Sequence, residues 1–194
     1  MNHQNLKFET LLAETTVIPV MVVRALEEAV PMARDLVARG YRVLEITLRT
    51  DCALDAVQEI ITHVPEAIVG VGTVTDGAQL RLAHGVGAMF AVSPGTTDAL
   101  IAAAEEVPLP LLPGIATASE AMKLRAKGYR YLKLFPAEAI GGRALLKSLK
   151  GPLPDLFFCT TGGIDAALAD EYLKLTNVIC VGGSWMTGTQ GSKD

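Results

Sequence analysis

The stretch VIPVMVVRALEEAVPMARDLVARGYRVLEITL, residues Val17–Leu48, decides the fold. It begins and ends with short apolar runs, Val17–Val23 and Val43–Leu48, which have the length and composition of buried strands. Between them, Leu26–Arg39 carries apolar residues at helical spacing, and Gly40 follows where a left-handed cap would end a helix. This order predicts a strand, a helix and a second, parallel strand.

The same alternation continues along the whole chain. Further strand-like runs follow at Ala67–Val74, Ala88–Ser93, Leu109–Ile115, Tyr129–Phe135, Leu156–Thr161 and Val178–Gly182. Amphipathic segments lie between them at Ala53–His63, Asp98–Glu106, Ser119–Lys127 and Asp165–Leu175. Eight strands with intervening helices predict an α/β fold of the (β/α)8 TIM-barrel type. An open doubly wound sheet is the alternative, although no Gly-x-Gly-x-x-Gly motif follows the first strand to favour it.

The two ends of the chain depart from this repeat. Leu6–Ala13 predicts an extra helix ahead of the first strand. No apolar helix follows the eighth strand, so we expect the final helix of the barrel to be missing. Residues 187–194 are small and polar, which predicts a disordered tail after a single barrel domain spanning residues 1–186.

Composition and charge exclude several classes of protein. Half of the residues are hydrophobic, yet no apolar run reaches the roughly 18 residues that span a membrane. The amino terminus lacks an apolar signal core, and Cys52, Cys159 and Cys180 are too widely spaced for a disulfide framework, so we expect a cytoplasmic protein. A net charge of −4 without basic clusters argues against nucleic acid, and the three histidines show no metal-ligand spacing.

Lys133 is the most unusual residue because it lies in the apolar run YLKLFP, residues 131–136. With a period of two, Tyr131, Lys133 and Phe135 share one face of a strand, opposite Leu132 and Leu134. Burial destabilises an ammonium ion relative to the neutral amine, which favours the nucleophilic form of a lysine. The alternative is a lysine on a solvated edge strand.

Polar residues also mark the ends of other predicted strands, where barrel enzymes carry their chemistry. Glu45 falls on the inward face of its strand and could move protons, or it could simply neutralise Lys133 or Arg49. Arg49 with Thr73 could hold a carboxylate, because guanidinium offers a bidentate fork; a structural salt bridge is the alternative. Two Gly-Gly pairs, Gly162-Gly163 and Gly182-Gly183, follow the last two strands, where such barrels bind phosphate.

These residues resemble the class I aldolases that act on 2-keto-3-deoxy-6-phosphogluconate (KDPG) and 4-hydroxy-2-oxoglutarate (KHG). The resemblance runs from about Val17 to Trp185. The segments that carry it are, in order, VLEITLRT (43–50), GVGTV (70–74), SPG (93–95), LFPAEA (134–139), TGGI (161–164) and GGSW (182–185).

The resemblance implies a role for each residue. Lys133 matches the Schiff-base lysine, and Glu45 matches the general acid/base. The residues matching the pocket for pyruvate and its carboxylate are Arg49, Thr73, Pro94 and Phe135. Those matching the phosphate and hydroxyl end are Thr161, Gly162, Gly163, Gly183 and Ser184. The resemblance also implies that a covalent imine on Lys133 serves in place of a cofactor or metal. The implied substrates are small 2-keto acids and aldehydes, and family members are typically homotrimers.

Three questions stay open from the sequence. Thr160 stands where the family often has proline, and the sequence does not fix the preferred aldehyde. The same phosphate-binding barrel could instead catalyse epimerisation or decarboxylation, which need no imine. A chain without its last helix could also be a self-associating scaffold with weak activity.

Overall fold

The computed structural model describes residues 8–12 and 15–188. Residues 8–12 are helical and form α1. The strands are β1 (Val17–Met21), β2 (Val43–Thr47), β3 (Ile68–Gly72), β4 (Phe90–Val92), β5 (Leu111–Leu112), β6 (Gly114–Ile115), β7 (Tyr131–Leu134), β8 (Phe157–Thr161) and β9 (Val178–Gly183). The other helices are α2 (Leu26–Ala38), α3 (Ala53–His63), α4 (Gly77–Gly85), α5 (Asp98–Glu106), α6 (Ala118–Ala126), α7 (Gly142–Lys150) and α8 (Ala166–Leu173), with a 3-10 turn at Glu138–Ile140.

Four of these helices begin at a side chain that caps the first turn. The capping residues are Asp76, Thr97, Thr117 and Asp165, and each accepts a hydrogen bond from the backbone amide three residues later. Such caps satisfy amides that have no partner within the helix, and each contributes about 1 kcal/mol. They fix where the loops at the carboxyl end of the barrel turn into helices.

The strands form one parallel sheet that closes on itself. Its order is β5-β4-β3-β2-β1-β9-β8-β7-β6, and only Pro113 separates β5 from β6 along the chain. Proline has no amide to continue the ladder, and the next amide, that of Gly114, donates to the Ser93 side chain at 3.1 Å. The Pro113 carbonyl accepts from the Lys133 amide at 2.8 Å. The fifth strand is therefore split, and the predicted eight-stranded (β/α)8 barrel is confirmed.

Alternation along the strands separates two apolar layers. Leu44 and Ile46 of β2 face the helices in one cluster, and Leu132 and Leu134 of β7 do so in another. A third cluster lies inside the barrel and includes Val43. The period-two prediction for the strand that carries Lys133 agrees with this arrangement, because both neighbouring leucines lie in the outer layer.

The interior cluster closes the amino end of the barrel. Its buried members are Phe8, Ile18, Val43, Phe90, Val92, Leu112, Cys159 and Cys180. Phe8 belongs to α1, and Leu11 and Leu12 of the same helix pack against the cluster. The predicted extra helix therefore covers the bottom of the barrel rather than the place of a final outer helix.

The region after β9 contains no helix in the described residues, which end at Gly188. This agrees with the predicted absence of a final helix up to that point. The predicted polar tail falls mainly on residues 189–194, which lie outside the described residues, as do residues 6, 7 and 13 of the predicted first helix. The single-domain boundary at residue 186 stays a prediction.

Candidate active site

A buried lysine and a buried glutamate meet inside the barrel. Lys133 Nζ donates to Glu45 Oε1 at 3.4 Å, with side chains 6% and 4% exposed. The two residues come from β7 and β2, which are not neighbours in the sheet, so the pair spans the interior. The Lys133 ammonium also lies 5.3 Å from the centre of the Phe135 ring. Removing one member of such a pair leaves an uncompensated buried charge, at a cost of about 3–5 kcal/mol.

The carboxylate of Glu45 reaches Lys133 through space that Gly72 leaves empty. A Cβ built on Gly72 would overlap Glu45 Oε1 and lie 2.7 Å from Glu45 Cδ. Any side chain at this position of β3 would therefore displace the carboxylate. Gly72 is a functional candidate that the sequence contained within GVGTV but that periodicity alone did not single out.

Thr161 brings an unpaired hydroxyl to the same interior. Its Oγ1 is buried and has no hydrogen-bond partner among the described residues. A Cβ on Gly182 of the adjacent strand would lie 2.5 Å from this oxygen. A buried hydroxyl without a partner is uncommon, and it marks Thr161 as a candidate contact for a substrate hydroxyl.

The four residues predicted to hold pyruvate lie at the carboxyl ends of their strands. Arg49 follows β2 and is exposed. Thr73 follows β3 with a φ of 62°, and Pro94 follows β4; both are half-buried. Phe135 follows β7 directly and stands beside Lys133. The fold thus brings these residues to the same end of the barrel as the lysine.

The predicted phosphate residues form a second group at this end. Gly162 and Gly163 follow β8 with φ values of 107° and 77°, and Gly183 ends β9 directly before Ser184. The helix α8 begins just after Gly162 and Gly163 and is capped by its own carboxylate. Its cap, Asp165, accepts from the Leu168 amide at 2.9 Å, so one amide of the first turn already has a partner.

Two thiols lie beside Lys133 on the adjacent strands. Cys159 pairs in register with Lys133 on one side and with Cys180 on the other. Burial raises the pKa of the Cys180 thiol well above its ordinary value, and the neighbouring Cys159 and the charge of Glu45 add to this effect. Both cysteines belong to the interior cluster, as the apolar context of the sequence predicted.

The described residues contain neither a metal-binding cluster nor a membrane span. Among residues 8–12 and 15–188, no three His, Cys, Asp or Glu side chains converge to hold a metal ion. None of the helices in the described part of the chain combines the length and apolarity needed to cross a membrane.

Known proteins resemble the chain along most of its length. A family model described as KDPG and KHG aldolase matches residues 8–194. The KHG/KDPG aldolase of Escherichia coli strain K12 is 52% identical over 178 residues, which cover 92% of this chain and 84% of that relative.

Two solved structures share the fold closely. KDPG aldolase from Legionella pneumophila, with pyruvate captured at low pH as a covalent carbinolamine intermediate, matches with a TM-score of 0.90 and 44% identity, covering 93% of this chain and 87% of that one. The aldolase of Zymomonas mobilis ZM4 with 3-phosphoglycerate matches with a TM-score of 0.89 and 42% identity, covering 96% and 88%.

The barrel and the polar residues gathered at its carboxyl end define a (β/α)8-barrel enzyme, and its relatives place it among the carbon–carbon lyases. More narrowly, the chain belongs to the KDPG and KHG aldolase family. The resemblance recognised in the sequence is thereby confirmed. A covalent carbinolamine of pyruvate, as in the Legionella relative, fits an aldolase that works through an amine without a cofactor.

Proposed function

We propose that the protein reversibly cleaves KDPG to pyruvate and glyceraldehyde 3-phosphate, with Lys133 as the Schiff-base nucleophile. The observation that carries this proposal is the buried Lys133–Glu45 pair inside the barrel. By the same chemistry the protein would cleave KHG to pyruvate and glyoxylate, as the name of the Escherichia coli relative suggests. The two substrates share the pyruvoyl half and differ only beyond C3.

The proposed reaction begins with attack of the neutral Lys133 amine on the C2 ketone. The carbinolamine loses water to give an iminium ion, which accepts the electron pair of the C3–C4 bond as that bond breaks. The C4 hydroxyl gives up its proton at the same step, so the leaving fragment departs as an aldehyde. The resulting enamine takes a proton at C3, and water then hydrolyses the iminium to pyruvate and free Lys133.

Glu45 is proposed to move the protons in these steps, because its carboxylate is already within reach of Lys133 Nζ. Arg49 and Thr73 would hold the substrate carboxylate, and Pro94 and Phe135 would flank the pyruvoyl group. At the far end, Gly162, Gly163, Gly183 and Ser184 would bind the phosphate through backbone amides and a hydroxyl, while the unpaired Thr161 hydroxyl would meet a substrate hydroxyl. No step calls for a metal ion.

The test of this proposal is pyruvate release from three substrates: KDPG, its galactonate-derived epimer and KHG. We expect the protein to cleave KDPG and Lys133→Ala to lose about 10⁴-fold or more in kcat. Lys150→Ala, which removes an exposed lysine of α7, is the matched control and should retain full activity. Turnover of a sugar phosphate that survives Lys133→Ala would instead favour epimerisation or decarboxylation.

We also propose that the active form is a cytoplasmic homotrimer, on the strength of the family resemblance. The mass of the purified protein in solution, measured together with KDPG cleavage, tests this assembly. A monomer with full cleavage activity would contradict the trimer, and a large self-associated species without cleavage would support the scaffold hypothesis instead.

A further inference from the structure

Glu138 lies in the loop that follows the lysine-bearing strand, and a tyrosine from α8 holds its carboxylate. Tyr172 Oη donates a hydrogen bond to Glu138 Oε1. Tyr172 is fully buried, whereas Glu138 is exposed. Burial, and then the bond to Glu138, raise the pKa of the Tyr172 phenol well above its ordinary value. The phenol therefore remains a hydrogen-bond donor throughout the neutral pH range.

The backbone of Glu138 is tied to the loop that holds the candidate phosphate residues. The Glu138 amide donates to the Gly162 carbonyl at 3.1 Å, and the Ala137 amide donates to the Thr161 carbonyl at 2.9 Å. A Cβ on Gly163 would lie 2.9 Å from Glu138 Cβ, closer than real side chains approach. A shift of Glu138 would therefore be transmitted to the Gly162-Gly163 segment.

The start of α7 closes the other side of the tyrosine–glutamate pair. Gly142 has a φ of 46°, and a Cβ there would overlap Tyr172 Oη and lie 2.8 Å from Glu138 Oε1. The backbone at Gly142 thus leaves no room for a side chain on this side of the bond. Glu138 is fixed by α8 through its side chain, by the β8 loop through its backbone, and by the approach of Gly142.

The fixed position of Glu138 matters for function because its carboxylate is negatively charged. A phosphate bound at Gly162-Gly163 would carry up to two negative charges, and a carboxylate attached to the same loop would repel it. The Tyr172 phenol directs the carboxylate toward α8 and satisfies one of its oxygens. Arg143 of α7 is already paired with Glu171 at 3.3 Å, so the Tyr172 hydroxyl is the group that holds the Glu138 carboxylate.

We propose that Tyr172 is a positioning residue that sets the preference for phosphorylated over unphosphorylated substrates. It does so by holding Glu138 against α8 and, through the Glu138 backbone, by fixing the Gly162-Gly163 segment. This inference rests on the proposed function, because it assumes that this segment binds the phosphate of KDPG. Tyr172 itself is expected to touch neither the substrate nor Lys133.

The experiment compares KDPG and KHG as substrates of Tyr172→Phe. We expect kcat/KM for KDPG to fall about tenfold, mainly through KM, while kcat/KM for KHG stays within about twofold. Tyr131→Phe is the matched control. Burial and a hydrogen bond to Glu9 raise the pKa of Tyr131 to about 12, so this variant also removes a phenol–carboxylate bond, but at the amino end of the barrel. The ratio of its kcat/KM for KDPG to its kcat/KM for KHG (the KDPG/KHG ratio) should equal that of the unmodified protein.

Two further measurements separate positioning from mere stability. Calorimetric titration with inorganic phosphate should show about tenfold weaker binding to Tyr172→Phe than to Tyr131→Phe. Glu138→Gln keeps an acceptor for Tyr172 and removes the charge, so we expect it to preserve the KDPG/KHG ratio, and we expect it to restore the ratio partly when combined with Tyr172→Phe.

An equal loss on both substrates, or unchanged phosphate binding in Tyr172→Phe, would overturn the proposal. Should Tyr172→Phe not fold, Glu138→Ala, which removes both the acceptor and its charge, must show a smaller loss that is still selective for KDPG, because the loop is no longer fixed by α8; an unchanged ratio there also overturns the proposal. Failure of the unmodified protein to cleave KDPG would refute the proposed function instead, and phosphate titration would still report on the loop.

Discussion

The two ends of the barrel interior are built from the same strands and differ in what fills them. At the amino end, buried apolar side chains pack together: Val43 and Phe90 join the cluster that α1 covers. Glu45 lies two residues after Val43 on the same face of β2. Lys133 lies two residues after Tyr131 on the same face of β7. Near this pair, Gly72 leaves the space that Glu45 occupies. The apolar amino end stabilises the fold, whereas burying the Lys133–Glu45 ion pair at the other end costs stability.

Glu45 and Val43 provide the sharpest comparison, because they share one face of β2. Glu45→Gln should lower kcat for KDPG about 10³-fold, since it removes the group proposed to move protons. Val43→Ala should lower the free energy of unfolding by about 1–3 kcal/mol and leave kcat unchanged, because it creates a cavity far from the chemistry. Steady-state kinetics and urea denaturation of both variants measure the contrast. Equal kcat values in the two variants would remove the functional distinction between the ends.

Gly70 and Gly72 extend the comparison to β3. A Cβ at Gly72 would displace the buried Glu45 carboxylate from Lys133, so Gly72→Ala should lower kcat about 100-fold and also lower the stability. A Cβ at Gly70 would overlap the buried Phe90 ring, so Gly70→Ala should cost about 1–3 kcal/mol of stability and spare kcat. Thermal unfolding and kinetics distinguish these outcomes. A normal kcat in folded Gly72→Ala would show that the position of the Glu45 carboxylate is unimportant.

Glu120 is a polar residue near the carboxyl end of the barrel that we expect to stabilise the fold without serving the active site. Partial burial tends to raise the pKa of Glu120, but hydrogen bonds from the Ala116 amide and from the Thr117 amide and hydroxyl outweigh it and leave the pKa below its ordinary value. Because the folded-state pKa is depressed, the stabilisation is present above the unfolded value near 4.5 and is lost as pH falls through the folded value.

Glu120→Gln should therefore cost about 0.5–1 kcal/mol at pH 7 and leave kcat unchanged. The difference from the unmodified protein should shrink below about pH 4.5. Urea denaturation at several pH values checks this, with Glu106→Gln, an exposed carboxylate in the last turn of α5, as the control. A stability difference that grew on acidification would mean that folding raises the pKa of Glu120 instead of lowering it.

Much of this arrangement was predictable because it depends on periodicity. Alternation with a period of two placed Glu45 and Lys133 inside and their leucine neighbours outside, and the order of strands and helices gave the barrel. The same logic located the ends of the strands, where the other candidate residues lie. No contact between distant residues was needed for any of these predictions.

The parts that sequence reasoning missed depend on contacts between distant residues. The bond from Tyr172 to Glu138 joins residues 34 apart, and nothing in either local pattern indicates that they meet. The split of the fifth strand arises because Pro113 has no amide and the next amide, that of Gly114, donates to the side chain of Ser93, which directly follows the neighbouring strand β4.

Borohydride reduction in the presence of pyruvate is the most direct test of Lys133 as the Schiff-base residue. We expect reduction to attach one carboxyethyl group to the protein, peptide mass spectrometry to locate it on Lys133, and cleavage of KDPG to be lost in proportion. Lys133→Ala should remain unlabelled under the same conditions. An active preparation that acquires no adduct, or one that carries it on a different lysine, would contradict the assignment of Lys133.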